Sequence, residues 1–502
     1  MKRGRPLDIL FVNPGDRMKT YQSLGQELAA IETPVWITIL AGHARRQGLS
    51  VEVAEMNALA LTPQEVAERV AHERPTLVAV VVYGHQPSAS TQNMPAAGAV
   101  CSAIKELVPN QPVLLLGGHV AALPERTLRE EKADFVCTGE GFATLPALVA
   151  ALQAGEENGL RSVPDLMWQE NGAFHRGPAA PLVRRLGEAV PEFAWDLLPM
   201  SVYRAHNWHC FGEPTRTPYA AIYTTLGCPF KCTFCCIQAP FKSGEAALGY
   251  RPEVNSYRFW PPEVILDQLG VLVERYGVRH VKIADEMFVL NRKHVEAICK
   301  GIIERGYHLN IWAYARVDTV QDDLIELLKE AGFNWLCFGI ESASERVRNE
   351  VQKGFQAEEA ERTLQKVRDA GINVMGNFIF GLPEDDLQSM QETLDYALEL
   401  LPEFANFYCA MAYPGSQLYR QALAEGWKLP DNWNGYSQHS VDTLPLQTRY
   451  LSGSEVLRFR DWAFHRFFED PRYLEMVQKK FGQQAVEEVR RMTSYRLQRR
   501  YA

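Results

Sequence analysis

Cys228, Cys232 and Cys235 follow one another at C-x3-C-x2-C spacing in the run Thr224-Thr225-Leu226-Gly227-Cys228-Pro229-Phe230-Lys231-Cys232-Thr233-Phe234-Cys235, directly after an apolar, strand-like segment. Three thiolates on one tight loop can hold three irons of a four-iron cluster and leave the fourth iron open to another ligand. An open iron implies chemistry rather than electron storage alone. The competing reading is a structural zinc site. Zinc usually takes four ligands, in pairs such as C-x2-C with a distant C-x2-C or H-x3-H, and the chain has no second C-x2-C pair. Cys236 also lies at pairing distance from Cys232 in sequence; it is read as a neighbour in the loop, not a ligand.

The elements that must position this loop form a β/α series. Strands are predicted at 219–225, 278–284, 309–315, 335–340, 374–380 and 405–411, with helical runs at 263–276, 322–331 and 358–370 between them. Six such repeats imply an incomplete (β/α)6 barrel whose active site lies at the strand C-termini. Polar residues end these strands on otherwise apolar segments: Asp285 and Glu286, Arg316, Glu341, and a glycine-marked run from Gly376 to Gly381. A carboxylate there can bind an ammonium by charge-assisted hydrogen bonds, and a guanidinium can grip a carboxylate at two points. Taken singly, each reads equally well as a capping residue or a solvated charge.

Ahead of the barrel, strand-like runs at 7–13, 51–54, 77–83 and 112–116 alternate with helical ones at 36–47, 63–71 and 95–108. Continuous Val/Leu runs separated by amphipathic helices mean a doubly wound parallel sheet covered on both faces. Ligands of such folds sit at the carboxyl ends of the strands. That edge carries Asn13-Pro14-Gly15, the loop from Tyr83 through His85 to Ser88, Gly117-Gly118-His119, and Thr138-Gly139-Glu140-Gly141. Between the two series regularity falls away, with Asn171-Gly172 marking a hairpin turn. The tail mixes aromatic and charged residues at helical spacing and reads as a helical cap over the barrel mouth, with Tyr436 and His439 as candidate substrate contacts. The expected division is a first domain at 1–155, a linker at 156–215, a barrel at 216–424 and a helical C-terminal domain at 425–502.

At 502 residues the chain exceeds one ordinary core. A net charge of -9 without a long basic tract argues against nucleic acid as a partner. The basic start is too short for a signal peptide, and no apolar stretch nears the ~20 residues that span a bilayer, so no transmembrane segment is expected. Of ten cysteines, the six scattered singly do not form a disulfide framework. A reducing, cytoplasmic location fits.

The cysteine run, with an aromatic Phe234 before its last member, resembles the motif of the radical S-adenosylmethionine (SAM) enzymes, and the order of domains resembles their cobalamin-binding subgroup. That resemblance implies a 4Fe-4S cluster on Cys228, Cys232 and Cys235 whose open iron takes SAM. It also implies that Asp285 and Glu286 meet the SAM amino group, Arg316 its carboxylate and Glu341 the ribose, with Gly376 and Gly381 near adenine. Cobalamin contacts then fall on Asn13, His85, Ser88, Gly117, Gly118, His119, Gly139 and Glu140. One departure stands out: in the D-x-H-x-x-G motif that supplies a cobalt ligand, Met18 occupies the histidine position. No histidine ligand is expected from that loop, and His85 is read as either a residue beneath the corrin or an ordinary loop histidine. By analogy the protein is a cobalamin-dependent radical SAM methyltransferase acting on an unactivated carbon of a small-molecule, lipid or tetrapyrrole substrate. It would be fed by an electron donor such as flavodoxin or ferredoxin. A non-methylating enzyme on the same scaffold (ring contraction, cyclisation or oxidation) and a cobalamin or iron–sulfur sensor are the alternatives.

Overall fold

The computed structural model describes residues 6–84, 87–155, 159–355 and 357–502. His85, and the side chain of Ser88, lie outside the described residues.

The first sheet holds β1 (Ile9–Asn13), β2 (Val51–Glu55), β3 (Leu77–Val81), β4 (Val113–Leu116), β5 (Phe135–Cys137), β6 (Leu166–Glu170) and β7 (Ala173–Arg176), in the order β2-β1-β3-β4-β5-β6-β7. The first five are parallel, with Ile9 between Val51 and Leu77. β3 and β4 are buried along their whole length, which is why they read as unbroken apolar runs: helices cover both faces. The strands β6 and β7 fall inside 156–215, where irregular chain was expected. Three-residue β5 would otherwise leave an open edge, and the hairpin pairs with it antiparallel, Phe135 opposite Trp168. Its turn is the expected Asn171-Gly172, both left-handed at φ +50° and +80°, the geometry that suits the twist of a hairpin.

The second sheet is parallel and six-stranded. After β8 (Tyr219–Ile222) comes a small antiparallel pair, β9 (Thr225–Leu226) with β10 (Arg258–Phe259). Then follow β11 (His280–Ile283), β12 (Asn310–Ala315), β13 (Phe333–Glu341), β14 (Asn373–Phe380) and β15 (Phe404–Cys409), in the order β15-β14-β13-β12-β11-β8. This is the expected partial barrel, with β8 and β15 at its free edges. Its N-terminal end is plugged by Trp208–Cys210. Trp208 packs edge-on against Trp312 and Trp335, with ring centroids 5.2 Å away in both cases. His209 and Asn310 exchange hydrogen bonds, ring Nε2 to Asn310 O at 3.1 Å and Asn310 Nδ2 to His209 O at 3.0 Å.

The helical cap comprises Gly453–Phe468, Pro471–Phe481 and Gln483–Ser494. It lies along the free edge at β15, where Arg460 Nε donates to Phe407 O at 2.7 Å. Phe481 stacks on Trp335 at 5.7 Å. The segment just before the cap crosses to the first domain: Trp433 meets His119 edge-on at 4.4 Å and donates to Glu130 Oε2 at 3.1 Å. Tyr436 is buried in that domain's core, so it is a packing residue and not the substrate contact expected of it. No helix among the described residues is long and apolar enough to cross a membrane.

Candidate active site between the two sheets

The cysteine loop owes its shape to a few local contacts. Gly227 has φ +88°, and a Cβ there would lie 2.3 Å from Ser256 O, so no other residue fits without moving the backbone. Gln238 ties the loop down: its Oε1 accepts from Cys228 N at 3.3 Å, while its Nε2 donates to Glu245 Oε1 at 2.6 Å and Ser256 O at 3.1 Å. Cys235 N closes onto Cys232 O at 3.0 Å. Cys228, Cys232 and Cys235 are partly exposed, whereas Cys236 is buried. Burial pushes the Cys228 thiol up to about 12 and Cys235 well above its usual range. Neighbouring thiols add to both shifts, so Cys228 and Cys235 resist ionisation. A bound cation that favours thiolates suits them. Among the described residues no three His, Cys, Asp or Glu side chains converge as ligands of a single metal ion, so the zinc reading gains no support. Ligands on separate irons of a cluster need no common point.

The two acids after β11 have different employments. Asp285 is fully buried, accepts from Thr224 N at 2.6 Å and Thr225 N at 3.1 Å, and is also bonded by the Thr224 hydroxyl. It holds the backbone that leads to the cysteines. Burial raises it to about 6 against those bonds. Glu286 lines the cavity beside Cys235, and its Oε2 has no partner. Burial, with help from Asp285, raises it to about 8. An unpartnered buried carboxyl is the group an ammonium would satisfy, so the SAM amino group fits Glu286 better than Asp285.

Arg316 lies 3.8 Å from Cys232 Sγ and packs over the Phe230 ring. Its fork is already paired at two points with Asp318, at 2.9 Å each; an incoming carboxylate must share or displace that partner. Glu341 ends β13 in the left-handed region, φ +65°, and bonds Lys353 Nζ at 3.0 Å in a buried ion pair. Such backbone strain in a non-glycine residue is stored where surrounding structure over-determines it. A Cβ on Gly376 would meet Phe378 at 2.8 Å, and one on Gly381 would meet Val456 at 2.5 Å. Both glycines therefore serve packing at this rim.

The first sheet's carboxyl edge faces the same space. A cavity of about 960 Å³ runs from Asn13, Gly15 and Tyr83 to Cys235, Glu286 and Glu341 and on into the barrel lumen. Asn13 is on its wall, with Nδ2 donating to both Glu55 oxygens at 2.7 and 2.9 Å. At Gly118 a Cβ would meet only Ser90, 3.7 Å away, and this open side faces a small cleft shared with Trp36, Tyr83 and Glu286. Gly117 is forced by Val82 O, and Gly139 by Asp165, both under 2.5 Å from a would-be Cβ. Of this edge's glycines, Gly15 and Gly84 line the large cavity, and walls with so little side-chain bulk fit a flat macrocycle. Two expected cobalamin contacts are employed elsewhere. His119 is buried between Thr91 and Trp433, and burial lowers it to about 3. Glu140 forms a buried pair with Arg258, 2.6 Å at its shortest.

Sequence reasoning passed over Glu32, Lys282 and His206, which meet at the cavity wall. Lys282 had a legible signal, since a lysine inside the apolar run Val281-Lys282-Ile283-Ala284 faces either solvent or a lumen. Glu32 had none.

A sheet edge built to receive a large ligand stands opposite a cysteine loop built for a cluster, which is the layout of an enzyme with two cofactors. Residues 22–149 match the B12 binding domain and residues 222–397 the Radical SAM superfamily, so the chain carries a B12-binding domain followed by a radical SAM domain. It is 28% identical over 469 residues to an uncharacterized methyltransferase of Pyrococcus horikoshii, covering 93% of this chain and 94% of the relative. It is 26% identical over 475 residues to the anaerobic magnesium-protoporphyrin IX monomethyl ester cyclase of Cereibacter sphaeroides, covering 92% and 70%. Its fold resembles that of the radical SAM methyltransferase TsrM from Kitasatospora setae, solved with cobalamin and a [4Fe-4S] cluster: TM-score 0.67, 15% identity, 98% of this chain and 100% of that one.

Proposed function

We propose that the protein is a cobalamin-dependent methyltransferase that places a methyl group on an unactivated carbon of a small molecule, drawing electrons from a donor of the flavodoxin or ferredoxin kind. The observation that carries this reading is the shared cavity: the cysteine loop and the first sheet's carboxyl edge open onto one space, where a single substrate carbon can meet both cofactors. When bound, the cluster with SAM supplies a hydrogen-abstracting radical and cobalamin supplies the methyl group. The chain's own residues do the rest. Cys228, Cys232 and Cys235 hold the cluster, Glu286 receives the SAM ammonium, Arg316 its carboxylate, and Glu341 lies where the ribose would fall. Buried aromatic walls such as Trp312 and Phe407 keep water from the reacting carbon.

A SAM spent on the radical cannot also give its methyl. Reduced, cofactor-loaded protein turning over its substrate should therefore form one 5′-deoxyadenosine and one S-adenosylhomocysteine for each methyl added, counted by mass spectrometry. The triple Cys228/Cys232/Cys235→Ala variant should make neither product, while Cys236→Ala keeps its iron. The likeness to a cyclase favours a second reading, ring formation without methylation. Substrate-dependent 5′-deoxyadenosine with no S-adenosylhomocysteine and no added methyl would establish that reading instead.

A further inference from the structure

The lumen end of the cavity has a polar corner that neither the cluster nor the sheet edge uses. Lys282 sits in the middle of β11 and is 1% exposed. Its Nζ lies 3.3 Å from Glu32 Oε1 and 4.8 Å from the Trp312 ring centroid. Glu32 comes from the first domain, and its other oxygen accepts the Tyr219 hydroxyl at 2.5 Å. His206, which burial lowers, stands 3.5 Å from Glu32 Oε1. Burying the Lys282 ammonium against a half-buried carboxylate is no more stabilising than apolar packing, so stability alone does not explain it here.

Counting hydrogen-bonding capacity shows what the corner lacks. The Glu32 carboxylate is already supplied by Lys282, Tyr219 and His206. Donors are left over: Trp312 Nε1 and Asn207 Nδ2 are buried without a partner, both residues line the cavity, and they are 2% and 5% exposed. Lys282 can donate three hydrogen bonds, and Glu32 takes one. Buried donors without acceptors are costly, and a ligand oxygen would satisfy them. The charges of Lys282 and Glu32 balance, so a second carboxylate would meet the repulsion of Glu32, whereas a neutral oxygen would not. Around the corner the walls are flat and apolar, with Trp208 packed against both Trp312 and Phe404. From this we infer that the corner is the substrate's anchoring subsite, and that it takes a neutral carbonyl oxygen on a flat, largely apolar, aromatic or conjugated body. The inference rests on the lumen being the substrate chamber of the proposed enzyme, and it narrows the substrate class.

The test uses a matched pair of probes on the cofactor-loaded protein without turnover, so its outcome is separate from whether methyl transfer occurs. 9-Fluorenone and fluorene share one flat body and differ in the carbonyl; fluorene-9-carboxylate adds the anionic arm. Binding is followed by quenching of tryptophan fluorescence and by the infrared carbonyl stretch. Fluorenone should bind about tenfold more tightly than fluorene, as one to two added hydrogen bonds imply, with its carbonyl stretch moved to lower wavenumber. Trp312→Phe keeps the ring and removes the unpartnered N–H, and should reduce both the preference and the shift. The double Glu32→Leu/Lys282→Met variant, which leaves no unpaired charge, should reduce the shift to what the Trp312 and Asn207 donors supply. Equal affinity for fluorene and fluorenone, an unshifted carbonyl stretch, or tighter binding of the carboxylate would overturn the assignment.

Discussion

Asp285 and Glu286 are adjacent carboxyls that sequence treats alike, and only their hydrogen bonds separate them. Asp285 takes two backbone amides and a hydroxyl, whereas Glu286 Oε2 takes nothing. Glu286→Gln should therefore leave iron content unchanged and weaken SAM binding about 10- to 100-fold, the range for a hydrogen bond between charged groups. Isothermal titration of the cluster-loaded protein measures it. Asp285→Asn should instead lower stability by about 1–3 kcal/mol, because a neutral amide is a poorer acceptor for the three donors. A larger loss of SAM affinity in Asp285→Asn than in Glu286→Gln would reverse the two roles.

At the scale of elements, a buried ion pair that joins the two sheets near the chemistry is Glu140 with Arg258. Glu140 lies in the loop after β5, and Arg258 pairs across β9–β10 with Leu226, two residues before Cys228. The two terminal guanidinium nitrogens reach the carboxylate, at 3.0 and 2.6 Å. Arg258 also donates to Val183 O at 2.9 Å and packs over Phe241. Such a clasp sets the distance between the first domain and the cysteine loop. Removing one partner leaves the other charge buried, at a cost of about 3–5 kcal/mol. Glu140→Gln should lower the denaturation midpoint accordingly, and Glu140→Leu with Arg258→Leu together should recover most of the loss. A single variant as stable as the parent protein would show that the pair does not clamp the domains.

For the molecule as a whole, the first domain and the linker meet at Glu55, behind the cavity-lining Asn13. Its carboxyl, at the end of β2, is bonded by Asn13, Ala58 N and the Tyr203 hydroxyl, the last from the linker. Burial nevertheless raises it to about 7, and the charged group facing it is Arg17. The sign follows from proton binding: between its unfolded value of about 4.5 and about 7, the folded protein holds a proton that the unfolded chain has released. Stability from this group is complete below that window and falls as pH rises through it, by about 3 kcal/mol at most. Denaturation midpoints at pH 5 and pH 8 should differ more in the parent protein than in Glu55→Gln. Equal differences would place the pH dependence elsewhere.

The sequence by itself determined the two β/α series, the cysteine loop and the chain order of the acids and glycines after it. These are local facts: strand and helix periods recur every two or 3.6 residues, a thiolate loop needs only its own spacing, and Gly227 or Asn171-Gly172 announce their turns. The hairpin of β6 and β7 was half legible, because its turn has a signature while its strands are too short to stand out. Tertiary structure alone decided which buried charge faces which partner. Glu140 meets Arg258, His119 turns to Trp433, Asp285 is occupied while Glu286 is not, and Glu32 crosses from one domain into the lumen of the other. A buried ionisable group takes its role from whatever long-range packing brings within about 4 Å, and neither composition nor local period encodes that neighbour.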